Sequence, residues 1–244
     1  SVEVLFDRAL AGEALARILR DRFLEALRYL ATAADQRLAP PGPSRFGAAP
    51  AAEPAPVTVS IRETIARCPD RCAVVTSDGS WTYRAAARAR NGGAQALARA
   101  GVRPGDVVAL ALPRGLASVV APWAVLERGA TVLPLDLSWP DLRLAGVVAD
   151  AGARFLLAEA PPTWATGGTW VSVGDPTDAE IPPEPPPPGC PSYLFFTSGS
   201  TGRPKGVRVR GSSIAQVLRA LAERPGLTED DVVLAVSSVA FDIS

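Results

Sequence analysis

The decapeptide Thr197-Ser198-Gly199-Ser200-Thr201-Gly202-Arg203-Pro204-Lys205-Gly206 gathers four hydroxyls, three glycines and one ammonium. Glycine lets backbone N–H groups turn toward one point, because no Cβ stands in the way. Hydroxyls add donors, and a lysine adds a compact positive charge suited to phosphate. Lys205 is the only lysine in the chain; the other 24 basic residues are arginine. Such a loop suits a polyanion such as the phosphates of a nucleotide. It differs from the G-x4-G-K-[ST] phosphate loop, which opens directly into a helix. Here Pro204 precedes the lysine and an alternating V-R-V-R run follows, so the spacing predicts a loop between two strands.

Asp242 is the second group that could do chemistry. It is a lone carboxylate directly after the apolar run VVLAVSSVAF. Taken alone, it reads first as a cap for a following helix, ahead of a counter-charge beside a cleft.

Composition removes several other chemistries. The chain has no histidine, which excludes Ser-His-Asp and Cys-His catalysis and His-assisted metal sites within it. Cys68 and Cys72 lack the further ligands of a zinc site. Three scattered cysteines do not make a disulfide framework and predict reduced thiols in a cytoplasmic protein. Twenty-five basic against 25 acidic residues argue against a nucleic-acid binder. No apolar run reaches the ~18 residues of a membrane span, and the start, SVEVLFDRAL, lacks the pattern of a signal peptide. With no methionine at position 1 and an ending in FDIS, the chain reads as an internal stretch of something longer.

The elements that must position these groups follow from periodicity. Residues 12–30 fit one amphipathic helix, with Leu15, Leu19, Phe23, Ala26, Leu27 and Leu30 on one side. Residues 40–56 hold six prolines and read as an extended linker. Beyond it the spacing predicts a short helix over 61–68, a strand over 73–76 and a turn at Asp78-Gly79. A helix capped by Thr82 should run to about Ala100, although Asn91-Gly92-Gly93 weakens it at a cost of about 1 kcal/mol per glycine. Strands follow at 107–112, 131–135, 155–158, 193–196, 206–210 and 232–236, with helices at 116–127, 142–149 and 214–222. A second proline run, with seven prolines in 181–191, reads as a surface connector. Alternation of helices with nearly all-apolar strands predicts an α/β fold with mostly parallel sheets flanked by helices.

The string SYLFFTSGSTGRPKG closely resembles the phosphate-binding core motif of the adenylate-forming superfamily: nonribosomal peptide synthetase adenylation domains, acyl-CoA synthetases and luciferases. Trp81-Thr82-Tyr83-Arg84 resembles the family's early L-T-Y motif, and Gly105-Asp106-Val107-Val108 fits the strand after it. The stretch from Leu126 to Asp136, LERGATVLPLD, resembles L-K-A-G-x-A-Y-x-P-x-D, and Phe241-Asp242-Ile243-Ser244 resembles F-D-x-S. The chain departs from the pattern at Gly211, where a His is usual, at Ala85, where an acidic residue is usual, and at Leu137, where Pro is common.

The resemblance implies that residues 57–244 are the N-terminal portion of an AMP-binding adenylation domain, truncated within its large N-terminal domain. Residues 1–39 resemble the closing segment of a condensation domain, with 40–56 as linker. Thr197, Ser198, Gly199, Ser200, Thr201, Gly202, Lys205 and Gly206 would bind the phosphates of ATP, with Mg2+ implied. Asp242 would hold the α-ammonium of an amino acid, and Ile243 would begin the side-chain pocket. No catalytic residue is expected within this stretch, so alone it should not turn over. The implied partners are a carrier protein bearing a phosphopantetheine thiol and the condensation domain of the same module, with neither nucleic acid nor membrane. A carboxylate–CoA ligase and an inert nucleotide-binding or scaffold piece are the rival readings.

Overall fold

The computed structural model of the chain describes residues 56–76, 79–165, 167–197, 204–223, 226–235 and 237–240. The condensation-like end and nearly all of the linker expected from the sequence lie outside them. In chain order the elements are α1 (Val57–Arg67), β1 (Cys72–Thr76), β2 (Gly79–Thr82), α2 (Tyr83–Arg99), β3 (Val107–Ala111), α3 (Leu116–Glu127) and β4 (Thr131–Pro134). Then come α4 (Asp141–Asp150), β5 (Phe155–Ala158), β6 (Thr169–Ser172), β7 (Tyr193–Thr197), β8 (Lys205–Val209) and α5 (Gly211–Glu223). Among these described residues no helix is long and apolar enough to cross a membrane.

Six strands form one sheet in the order β6-β5-β3-β4-β7-β8, and β1-β2 form a separate antiparallel hairpin. In the six-stranded sheet all pairs are parallel except β7–β8. The parallel arrangement follows from composition. β4 and β5 are buried at every position, so both faces need cover, which only helices between strands can supply.

Successive side chains alternate between two cores. Val108, Leu110, Val132, Phe155 and Leu157 face one core with α2 and α3, through Leu97, Ala121, Ala124 and Val125. Ala109, Ala111, Leu133, Leu156 and Ala158 face the other, with Leu144 and Val147 of α4. Each fully buried Leu or Val here contributes roughly 1.5–3 kcal/mol. The helices after β3 and β4 therefore cover opposite faces of the sheet.

Three local features differ from expectation or explain a conflict in it. First, Gly92 and Gly93 do not interrupt α2, which runs unbroken after Thr82, whose hydroxyl accepts the Ala85 N–H at 3.2 Å. A Cβ at Gly92 would sit 2.1 Å from the Asp175 carbonyl oxygen, and one at Gly93 would sit 3.2 Å from Ala124 Cβ. The glycines are there because other backbone and α3 pass close. Second, β6 has no counterpart among the expected strands: it is a short edge strand held in parallel register to β5, with only Val171 buried. Third, the strand expected over 232–236 does not form in the described part of that run. Val232, Val233 and Leu234 are exposed and without regular structure, because no neighbouring strand among the described residues offers them a ladder.

The proline run at 181–191 is a connector, as expected, and it is anchored. The Glu184 N–H donates to the Glu127 carbonyl at 2.8 Å, and the Thr131 hydroxyl donates to the Pro191 carbonyl at 2.7 Å. Gly129, at φ 62°, admits the Glu184 and Pro185 carbonyls, which would lie 2.8 and 2.9 Å from a Cβ.

Candidate functional site

Strands form on both sides of the hydroxyl–glycine sequence, as its spacing predicts. β7 and β8 pair antiparallel from Tyr193 opposite Val209 to Thr197 opposite Lys205. Thr197 and Lys205 are both exposed at the mouth of the loop. Ser198, Gly199, Ser200, Thr201 and Gly202 lie outside the described residues, as do Asp242 and Ile243.

The hairpin is fixed by its aromatic residues. Tyr193 and Phe195 stack on one side of β7, with ring centroids 5.4 Å apart and planes 8° apart. Leu194 and Phe196 turn the other way and join the core with α4. Gly206 stands opposite Phe196, and a Cβ on it would meet the Phe196 ring at 3.3 Å and Leu194 Cδ1 at 3.2 Å. The glycine thus lets these side chains lie against β8 backbone, beside the lysine. Phosphate is the ligand chemistry that fits the described donors at this mouth, one hydroxyl and one ammonium. No group of three or more His, Cys, Asp or Glu side chains among the described residues would hold a metal ion by itself. An ion arriving on nucleotide phosphates needs few protein ligands, so the described donors are compatible with Mg2+ carried on them.

The second part of the site lies at the carboxyl ends of β3 and β4. Because α3 and α4 diverge to opposite faces, the two loops that follow these strands separate and leave a crevice. Its walls are Leu112 to Arg114 after β3 and Leu135 to Ser138 after β4, closed by Ser238 and Val239, around a cavity of about 160 Å3. Asp136 Oδ1 accepts from the Ser138 N–H at 2.9 Å and the Ser138 hydroxyl at 2.7 Å, and Oδ2 accepts from the Ser238 hydroxyl at 2.6 Å. These bonds, the one from Ser238 foremost, hold the Asp136 carboxyl below its ordinary value of 3.8, and the Arg114 charge adds a little. Arg114 donates from Nη1 to the Ala235 carbonyl at 2.9 Å and from Nη2 to the Ser237 carbonyl.

Sequence reasoning singles out Thr197, Lys205 and Gly206, and the structure brings them together. It does not single out Arg114 or Ser238, and Asp136 enters it only as the end of a motif. The signal that finds them is topological: loops after adjacent strands whose helices cover opposite faces.

Residues 61–244 match the AMP-binding enzyme family. The chain belongs to that family. Its relatives include the probable non-canonical nonribosomal peptide synthetase CymA of Salinispora arenicola, 35% identical over 190 residues, covering 74% of this chain and 2% of that protein. The phosphinothricin tripeptide synthetase PhsC of Streptomyces viridochromogenes is 37% identical over 195 residues, covering 75% of this chain and 18% of the relative. Among solved structures, the AMPPNP-bound form of the nonribosomal peptide synthetase FmoA3 aligns with a TM-score of 0.71 at 28% identity, over 80% of this chain and 21% of that one. The N-terminal subdomain of Klebsiella oxytoca NpsA, in complex with 3-hydroxybenzoyl-AMSN, aligns with a TM-score of 0.67 at 26% identity, over 76% of this chain and 48% of that one. The chain therefore has the fold of the N-terminal part of adenylate-forming enzymes and spans only a small part of its synthetase relatives.

Proposed function

We propose that the chain is the nucleotide- and substrate-facing part of a nonribosomal peptide synthetase adenylation domain that activates an α-amino acid. An oxygen of the amino acid's carboxylate attacks the α-phosphorus of ATP. The new P–O bond forms as the bond to the bridging oxygen breaks, and pyrophosphate leaves. The acyl group then passes from the aminoacyl-AMP to the phosphopantetheine thiol of a carrier protein, releasing AMP. Residues 1–39 belong in this reading to the end of a condensation domain, joined through 40–56.

The observation that carries the reading is the sole lysine at the first position of β8, facing Thr197 across the mouth of the hydroxyl–glycine loop. Phosphoryl transfer depends chiefly on positioning and charge neutralisation, and this mouth supplies both. Thr197 through Gly202, Lys205 and Gly206 bind and orient the phosphates. Asp242 supplies the counter-charge for the substrate's ammonium, and Ile243 begins the side-chain pocket. A desolvated ammonium requires such a partner, whereas fatty or aryl acids bring no charge of that kind. Asp242 thereby favours an amino acid over the substrates of an acyl-CoA ligase.

ATP–pyrophosphate exchange on the synthetase module tests this. Wild type should accept an amino acid and discriminate against its des-amino analogue. Asp242→Ala should cost roughly 3–5 kcal/mol on the amino acid and little on the analogue. Preference of wild type for the des-amino acid, or an equal loss on both, would reject amino-acid activation.

A further inference from the structure

The hairpin of β7 and β8 carries Thr197 and Lys205 well beyond its attachment to the rest of the sheet. β4 and β7 are in register only at Val132 and Tyr193, where the Val132 N–H donates to the Ser192 carbonyl at 2.9 Å. From Leu194 onward β7 pairs with β8 alone, and β8 has no further neighbour among the described residues. Four residues separate Tyr193 from Thr197 in the chain, so the last hairpin pair lies roughly 13 Å beyond that attachment. A two-stranded hairpin is marginally stable by itself, so something besides its own ladder must fix this end. Phe196 is placed to do so. Its side chain is buried in the core that contains Leu144 and Val147 of α4. It also stands opposite Gly206, the residue after Lys205. A Cβ on Gly206 would lie 3.3 Å from Phe196 Cζ and 3.4 Å from Cε2, so the ring is laid along the β8 backbone beside the lysine. One ring thus engages both strands next to their last pair and ties them to the core.

We infer that Phe196 is a positioning residue for the phosphate mouth: its ring, seated in the α4 core and laid across Gly206, sets the place of Thr197 and Lys205 relative to the sheet. This rests on the reading of Lys205 as a phosphate ligand. Phe196 itself meets no phosphate. It acts through Thr197, its neighbour in the chain, and through Gly206, the neighbour of Lys205. A charged hydrogen bond to a phosphate oxygen needs position as well as charge, and a displacement of about 1 Å can cost a factor of about a hundred. In the same reading the acid substrate is held by other residues, so its binding should be spared.

ATP–pyrophosphate exchange on the intact synthetase module decides it, comparing wild type, Phe196→Ala, Phe196→Leu, Lys205→Ala, the Phe196→Ala/Lys205→Ala double variant and Leu156→Ala. Leu156 lies on β5 in the same core and is the buried control away from the hairpin. In Phe196→Ala the KM for ATP should rise roughly ten- to a hundredfold, with the KM for the amino acid held. Phe196→Leu refills part of the core and should recover part of the loss. Leu156→Ala should lower stability, as a core truncation does, and leave the KM for ATP at the wild-type value. In the Lys205→Ala background, Phe196→Ala should raise the KM for ATP far less than in wild type, because its effect passes largely through the lysine. A folded Phe196→Ala with the wild-type KM for ATP, an equal rise in Leu156→Ala, or full additivity in the double variant overturns the inference and leaves Phe196 a core residue alone. Phe196→Leu is the variant to read if Phe196→Ala does not fold. A raised KM for ATP there, with the KM for the amino acid held, supports the anchor, and a wild-type value overturns it. Failure of the underlying reading appears separately, as an unchanged KM for ATP in Lys205→Ala alone.

Discussion

Thr197 and Lys205 are cross-strand partners, the last pair in the β7–β8 register, and residues 198–204 connect them in sequence. A hydroxyl and an ammonium are thus held at the two ends of one loop by the ladder between its flanking strands. Lys205→Ala should weaken ATP use by about 1.5–3 kcal/mol, the worth of one charged hydrogen bond, with the thermal midpoint unchanged. Lys205→Arg should recover only part of the loss, since a planar guanidinium is a poorer match to a single phosphate oxygen. Equal KM for ATP in wild type and Lys205→Ala would remove Lys205 from the site.

Arg90 and Glu127 form a different kind of contact, internal to the scaffold. Arg90 Nη1 lies 2.8 Å from Glu127 Oε1, with the two side chains 2% and 5% exposed. Arg62 Nε reaches the same oxygen at 2.9 Å, and Asn91 Oδ1 accepts from Arg90 at 2.7 Å. Glu127→Ala would leave the buried Arg90 charge with only the exposed Glu180 carboxylate, 3.8 Å away, and we expect a loss of about 3 kcal/mol in unfolding free energy. Chemical denaturation of the two proteins measures it; a loss below about 1 kcal/mol would place the pair with surface ion pairs.

Much of this fold is legible in the sequence because helix and strand signals are local. The strand over 155–158 and the helix over 116–127 have the expected bounds, since each is an apolar run closed by its own breaking residues. What is not legible depends on partners remote in sequence. β6, Thr-Trp-Val-Ser, is a strand because β5 lies beside it. Val232 to Leu234 are as apolar as any strand, yet among the described residues they have no ladder to join. The site divides the same way. Thr197 and Lys205 stand in one unusual string, whereas Arg114, Asp136 and Ser238 meet only through the order of the strands.

Gly92 and Gly146 give opposite predictions for the same substitution. Both are helical glycines that would gain helix propensity as alanine. A Cβ added at Gly146 in α4 would meet nothing within 4 Å, whereas at Gly92 the Asp175 carbonyl carbon and oxygen would stand 2.7 and 2.1 Å away. Gly146→Ala should therefore stabilise by roughly 0.5–1 kcal/mol. Gly92→Ala must push the 174–175 backbone off α2 and should cost about 1–3 kcal/mol. Thermal or urea midpoints that move in the same direction for both would contradict the close approach at Gly92.

Asp136 predicts how the crevice responds to acid. Its carboxyl lies below 3.8 in the folded chain because of the Ser238 and Ser138 bonds, and returns to about that value when unfolded. The folded state therefore binds this proton less readily than the unfolded one. The stabilisation is fully present above the unfolded value and is lost as pH falls through the folded value. Asp136→Asn cannot ionise, so the stability difference between wild type and variant should be constant from neutral pH down to roughly 5 and shrink below 4. Asp70 and Asp231 are also lowered, by Arg84 and by Thr228 respectively, but they are common to both proteins and drop out of the difference. Urea midpoints at a series of pH values give that difference directly. A difference that stays flat through pH 3 would mean the Asp136 carboxylate is not what ties the β4 loop to Ser238.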